Sequence, residues 1–145
     1  MRVLMVEDDQ LQVRLYRRTI EDHFDDVVVD HRAELRGALQ AVDALSHFTA
    51  PDLVLLDLRL PDGEGFEVLE RIRSRDDLVD LPVMVWSGSD LDSDIQRAYA
   101  SGASAYLVKP SDLDGLRAQI RDSIAFWRQV TRAEALPADT GSRER

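Results

Sequence analysis

Short apolar runs alternate with amphipathic stretches along this chain, and that rhythm limits its possible folds more than any other feature. The runs are Val3–Val6, Val27–Val29, Leu53–Leu56, Val83–Trp86 and Tyr106–Val108. They are too short for helices, rich in β-branched residues and bounded by Asp, Pro, Gly or Ser, which is the pattern of strands. Their hydrophobicity is continuous, as in strands covered on both faces. Between them, apolar residues recur at helical spacing. The first such stretch carries Leu11, Leu15, Thr19 and Ile20, and the second Leu35, Leu39, Val42 and Leu45. Phe66, Leu69 and Ile72 mark the third, Ile95, Ala98 and Tyr99 the fourth, and Leu113, Leu116, Ile120, Ile124 and Trp127 the fifth. Five β-α units with right-handed crossovers predict a three-layer, doubly wound α/β domain, (βα)5, around a five-stranded parallel sheet. Residues 1–130 are expected to form that domain. The C-terminal extension 131–145 follows, and from Pro137 to Arg145 it is polar and without apolar periodicity, as in a frayed tail.

Composition removes several functional classes. A chain of 145 residues fits one domain, and at this size folding buries roughly 70% of the unfolded surface. The absence of cysteine excludes a disulfide framework, a thiolate zinc site and a Cys nucleophile. No apolar run approaches the ~20 residues of a membrane span, and the four apolar residues after Arg2 are too few for a signal peptide. These features lead us to expect a cytoplasmic protein with no membrane association. With 28 Asp+Glu against 18 Lys+Arg the formal net charge is −10, which argues against direct nucleic-acid binding. Of those 18 cations 17 are Arg, and the single Lys is Lys109. A compact ammonium is distinctive where a point charge must reach a buried anion.

In a parallel α/β sheet the functional crevice lies beyond the carboxyl ends of the strands. The first predicted strand ends in Glu7-Asp8-Asp9, the third in Asp57, the fourth in Ser87 and the fifth in Lys109-Pro110. Taken singly, Asp9 also reads as the N-cap of a helix starting near Gln10, and Asp57 as a turn residue. Together, the carboxylates of Asp8, Asp9 and Asp57 repel one another and require a counter-charge. Mg²⁺ suits them, since it accepts one or two carboxylates and keeps several waters. Three carboxylates, one Mg²⁺ and Lys109 sum to about zero charge, which lets a phosphoryl group approach. A carboxylate can itself accept that group, and Asp57, central in the sheet, is the expected acceptor.

The runs Val6-Glu7-Asp8-Asp9, Leu55 to Gly63, Trp86-Ser87-Gly88-Ser89 and Tyr106 to Pro110 resemble the receiver domain of two-component response regulators. The resemblance covers residues 2 to about 127 and implies a flavodoxin/CheY-like fold. It implies that a histidine kinase phosphorylates Asp57, and that Asp9, Asp57 and the Arg59 carbonyl ligate Mg²⁺, with Asp8 acting through a water. Ser87 and Lys109 would contact the phosphoryl group, Tyr106 would be the switch aromatic, and the Lys109–Pro110 bond would be cis. Arg59 and Ser89 occupy positions that tune phosphate lifetime in the family. A long Arg there predicts slow hydrolysis. Glu64 stands where Asp often precedes the loop glycine, here Gly65, and no chemical consequence is expected.

Beyond the core stripe of the last helix, Phe126, Val130 and Ala133 form a second stripe beside Trp127. Exposed aromatic patches usually mark an interface, and a two-fold contact is the commonest solution. Either these residues fold back on the domain edge or, as is expected, Phe126, Trp127 and Val130 form a homodimer interface, to which the family resemblance adds Tyr99 of the fourth helix. The segment Ile124 to Trp127, with Leu136-Pro137, is also similar to single-domain response regulators that partner bacterial phytochromes, which makes such a kinase, and light, a candidate input. The downstream partner is expected to be a protein. Other features read blandly. His23, His31 and His47 belong on the surface or at helix ends, and Asp90, Asp92 and Asp94 cap and solvate the fourth helix. A phosphohydrolase would need an Asp where Arg59 stands, and a nucleotide-binding loop would not open with three acids. The remaining alternative is a pseudo-receiver, an interaction module that is never phosphorylated.

Overall fold

A computed structural model describes residues 1–130; the proposed extension 131–145 lies outside the described residues. Five strands form one parallel sheet: β1 (Arg2–Val6), β2 (Val28–Arg32), β3 (Leu53–Leu56), β6 (Val83–Ser87) and β7 (Ala105–Val108). A small antiparallel hairpin, β4 (Arg59–Leu60) and β5 (Gly63–Glu64), follows β3. The helices are α1 (Gln10–His23), α2 (Leu35–Asp43), α3 (Phe66–Arg73), α4 (Asp92–Ala100) and α5 (Leu113–Gln129). The sheet order is β2-β1-β3-β6-β7. In register, Met5 lies between His31 and Leu55, and Leu55 pairs with Met84.

Alternate residues of β1, β3 and β6 enter two separate cores, and both are apolar. Val3, Met5, Leu53, Leu55, Met84 and Trp86 pack with Val13, Tyr16 and Ile20 of α1 and Leu116, Ile120 and Ile124 of α5. Leu4, Val6, Val54, Leu56 and Val83 pack with Leu35, Ala38 and Val42 of α2 and Val68, Leu69 and Ile72 of α3. This double coverage is why the runs read as unbroken hydrophobic sequence. α4 meets the sheet through Ala98, against Leu58, Phe66 and Val85. No helix among the described residues is long and apolar enough to cross a membrane.

Four local expectations are corrected. β2 runs through Asp30, His31 and Arg32 rather than ending at Val29. It is an edge strand, extended by its ladder with β1, and none of its residues is fully buried. The buried stripe of α1 is Val13, Tyr16, Thr19 and Ile20, whereas Leu11, in the first turn beyond the sheet edge, is 72% exposed. Leu113 likewise stands exposed in the first turn of α5. The Lys109–Pro110 bond is trans, as are all the described peptide bonds, the geometry X–Pro bonds prefer by about 0.5–1 kcal/mol.

The β4–β5 hairpin positions the loop after β3. Its Asp62 accepts hydrogen bonds from the amides of Leu35 (2.7 Å) and Arg36 (3.0 Å) and so caps α2 from a distance. Glu34, the local cap position, makes no side-chain bond to the helix. Gly65 lies so close to the Asp57 carbonyl that a Cβ there would collide with it, and its amide donates to the Leu58 carbonyl at 2.8 Å.

Candidate functional site

Three residues just past strand ends are still held by the sheet's hydrogen bonding. The Glu7 amide donates to Arg32 O at 3.0 Å, that of Asp57 to Val6 O at 2.9 Å, and that of Lys109 to Ser87 O at 2.8 Å. Their side chains therefore leave a rigid edge. They line a cavity of about 600 Å³ with Asp8, Arg59 and Ser87.

At its floor two carboxylates share one ammonium. Lys109 Nζ lies 3.1 and 3.2 Å from the Glu7 oxygens and 3.2 Å from Asp57 Oδ2. Glu7 and Asp57 are buried, and the Lys109 ammonium also sits 4.8 Å over the Trp86 ring. Burial foremost, and then the neighbouring Asp57, push the Glu7 carboxyl up from 4.5 to about 8, with Lys109 opposing. One oxygen each of Glu7, Asp8 and Asp57 lie within 4.8 Å of one another. This all-oxygen, anion-rich donor set fits a hard divalent cation.

The acidic cluster is not the expected one. Asp9 accepts hydrogen bonds from the amides of Leu11 (2.9 Å) and Gln12 (3.2 Å) and caps α1. It lines the cavity but stands outside the cluster, and Glu7 takes the place expected for it. The signal was present in the sequence: of three consecutive acids, the last immediately precedes a helix.

The remaining expected residues converge to different degrees. Ser87 is buried at the end of β6, with its Oγ accepting from the Ser89 amide at 3.2 Å. The Arg59 amide donates to Asp57 Oδ1 at 3.2 Å, while its guanidinium points outward. The Tyr106 hydroxyl donates to the Ser89 carbonyl at 2.8 Å, and its amide donates to the Tyr99 hydroxyl at 3.1 Å. That links β7 and α4 to the loop after Ser87. Tyr99, Phe126 and Val130 are exposed, whereas Trp127 is half-buried with Nε1 3.2 Å from Met84 Sδ. Asp92 and Asp94 occupy the first turn of α4 as expected, although no side chain caps the helix.

Sequence reasoning missed two further residues. Gln119 of α5 accepts from Trp86 Nε1 at 2.6 Å and donates to Val108 O at 2.9 Å, fastening the helix to two strand ends. His31 lies within β2, and its Nε2 donates to the Glu7 carbonyl at 2.7 Å. Neither carries a sequence signal, because each role arises from the tertiary register.

Comparison with known proteins agrees with this geometry. Residues 3–121 match the family described as response regulator receiver domain. The probable methanogenesis regulatory protein FilR2 of Methanothrix harundinacea (strain 6Ac) is 34% identical over 131 residues, 86% of this chain and 82% of that protein. The response regulator Rcp1 of Synechocystis sp. (strain ATCC 27184 / PCC 6803 / Kazusa) is 31% identical over 140 residues, 94% of this chain and 92% of Rcp1. The crystal structure of the phosphorylated cyanobacterial phytochrome response regulator RcpA superimposes with a TM-score of 0.84 at 28% identity, covering 91% of this chain and 97% of RcpA. The Mn²⁺-bound form of Rcp1 does so with a TM-score of 0.82 at 29% identity, covering 94% and 99%. With five parallel strands in the order β2-β1-β3-β6-β7 and an acidic cluster against one lysine, this chain belongs to the response regulator receiver domain family.

Proposed function

We propose that the chain is a phosphoacceptor switch, phosphorylated on Asp57 by a histidine kinase. The observation that carries this reading is the pair of buried carboxylates, Glu7 and Asp57, on the one ammonium of Lys109. Asp8 and Asp57, with Glu7 behind them, would hold a Mg²⁺ ion. Its chemistry there is to neutralise charge on the carboxylates and on an incoming phosphoryl group. A Mn²⁺-bound Rcp1 supports that choice.

An Asp57 carboxylate oxygen forms the new bond to phosphorus as the bond from phosphorus to the kinase's histidine nitrogen breaks. Lys109 pairs with the phosphoryl oxygens that replace its contact to Asp57, and the Ser87 hydroxyl donates to another. Drawing the loop after Ser87 inward moves the carbonyl of Ser89, to which Tyr106 is bonded. The α4–β7–α5 face is the output surface, shifting between two populations.

This reading further places the protein in the cytoplasm, as a homodimer through Tyr99, Phe126, Trp127 and Val130, signalling to another protein. A phytochrome-type kinase is the proposed input, supported by the similarity to RcpA and Rcp1. Native mass spectrometry with Mg²⁺ and a small-molecule phosphoryl donor tests the chemistry. One phosphoryl group per wild-type chain and none on Asp57→Asn is expected. No uptake from any donor would instead favour a non-phosphorylated interaction module.

A further inference from the structure

We infer that Asp94 of α4 is a positioning residue that sets how long the phosphoryl group survives on Asp57, by competing for the side chain of Arg59. This inference rests on the phosphoacceptor reading and adds a control element to it.

Arg59 springs from the loop directly beside the acceptor, with its amide on Asp57 Oδ1 at 3.2 Å. Its guanidinium does not turn into the acidic cavity. Nη2 lies 3.9 Å from Asp94 Oδ2, with the Arg59 side chain 76% exposed and that of Asp94 25% exposed. Arg59 borders two cavities, the acidic one and a neighbour of about 410 Å³ that Asp94 shares with Leu60, Glu64 and Phe66. The guanidinium can therefore swing from one to the other with no change in the core.

The two positions differ in strength. An exposed ion pair at this length is weak and screened, whereas a guanidinium on a phosphoryl dianion forms short charge-assisted bonds. Phosphorylation accordingly draws Arg59 from Asp94 to the acyl phosphate, where it covers the phosphorus against water. Hydrolysis joins a water oxygen to phosphorus and breaks the bond to the Asp57 oxygen, releasing inorganic phosphate. Asp94 opposes the covered arrangement and shortens the lifetime.

Asp94 is also placed to pass the change on. The oxygen facing Arg59 accepts the Ser89 hydroxyl. The Ser89 amide donates to Ser87 Oγ, and its carbonyl accepts the Tyr106 hydroxyl. When Arg59 leaves, α4 stays tethered through Arg97, which lies 3.1 Å from Glu64 and 3.9 Å from the centre of the Phe66 ring. The transfer thus alters the charge at the start of α4 without undocking the helix.

The test loads wild type, Asp94→Asn, Arg59→Ala and the double variant with a small-molecule donor and Mg²⁺. The donor is then removed and the decay of the phosphorylated mass followed. Asp94→Asn keeps an acceptor for Ser89 and removes only the charge. It should lengthen the half-life about three- to fivefold, the population change that losing one exposed ion pair allows. Arg59→Ala should shorten the half-life, the double variant should match Arg59→Ala alone, and Asp94→Glu should restore wild-type decay. An unchanged half-life in Asp94→Asn, or the same lengthening in the Arg59→Ala background, would overturn the inference. A wild type that does not load overturns the phosphoacceptor reading itself, and is told apart by the absence of any starting signal.

Discussion

At the scale of single residues, the surroundings of Asp57, the proposed acceptor, depend on one missing side chain. The Asp57 carbonyl occupies the space a Cβ on residue 65 would need, so only glycine lets the loop close over the end of β3. Relief requires backbone to move, since the obstacle is not the end of a flexible side chain. Gly65→Ala should therefore destabilise the protein by about 1–3 kcal/mol, the usual cost of overpacking, as read by chemical denaturation. It should also slow phosphoryl uptake by shifting Asp57 against Lys109. Wild-type stability together with wild-type uptake would contradict the close approach.

At the scale of elements, the starts of α1 and α2 separate structural acids from chemical ones. Asp9 caps α1, so Asp9→Ala should lose about 1 kcal/mol of stability and retain Mg²⁺-dependent phosphorylation. Asp8→Ala should do the reverse, folding normally and losing the Mg²⁺ dependence. Calorimetry beside a phosphorylation time course checks both, and loss of Mg²⁺ dependence in Asp9→Ala would return that residue to the metal site. Asp62 caps α2 across space, and the Arg36 and Leu35 amides hold its carboxyl below the usual carboxylate range. A depressed folded pKa contributes stability above the unfolded value of 3.8, and that stability is lost as the pH falls through the folded value. The stability gap between wild type and Asp62→Ala should thus be present at neutral pH and close in acid, as followed by thermal melts across pH. A gap unchanged in acid would show that the carboxylate charge plays no part in the cap.

These elements also show what the sequence could reveal. β1, β3 and β6 were legible almost to the residue, because strands buried on both faces write continuous apolar runs, and β7, the other edge strand, is apolar throughout although only partly buried. That Asp57, Ser87 and Lys109 meet at one edge of the sheet was legible because the chain places them where those runs stop. β2 was half hidden, since its last three residues are Asp30, His31 and Arg32 and none of its positions is fully buried. The phase of α1 was misjudged because Leu11 is apolar without being buried. Asp9 looked like a ligand because an acid before a helix and an acid in a metal site are the same residue type, and only the hydrogen bonds to Leu11 and Gln12 tell them apart.

At the scale of the whole molecule, the proposed dimer contact lies at the far end of α5. Phe126 is 61% exposed, and beside it Met84, Leu107, Phe126 and Trp127 line a groove of about 360 Å³. A formal charge of −10 on each chain opposes association, and salt screens that repulsion. Dimerisation should therefore strengthen with ionic strength, and Phe126→Glu should yield monomers by light scattering without loss of phosphorylation. A wild type that stays monomeric in both phosphorylation states and at all salt concentrations would remove the dimer.

Phosphorylation on Asp57 would place the phosphoryl group on one of its carboxylate oxygens, and borohydride reduction of the phosphorylated protein followed by peptide mapping tests this most directly. Reduction converts an aspartyl phosphate to homoserine and leaves free carboxylates untouched. Homoserine is expected at position 57 alone, only after phosphorylation in Mg²⁺, and none when the metal is chelated. Homoserine at Asp8 or Asp9, or at no position in a protein that carries phosphate, would contradict it.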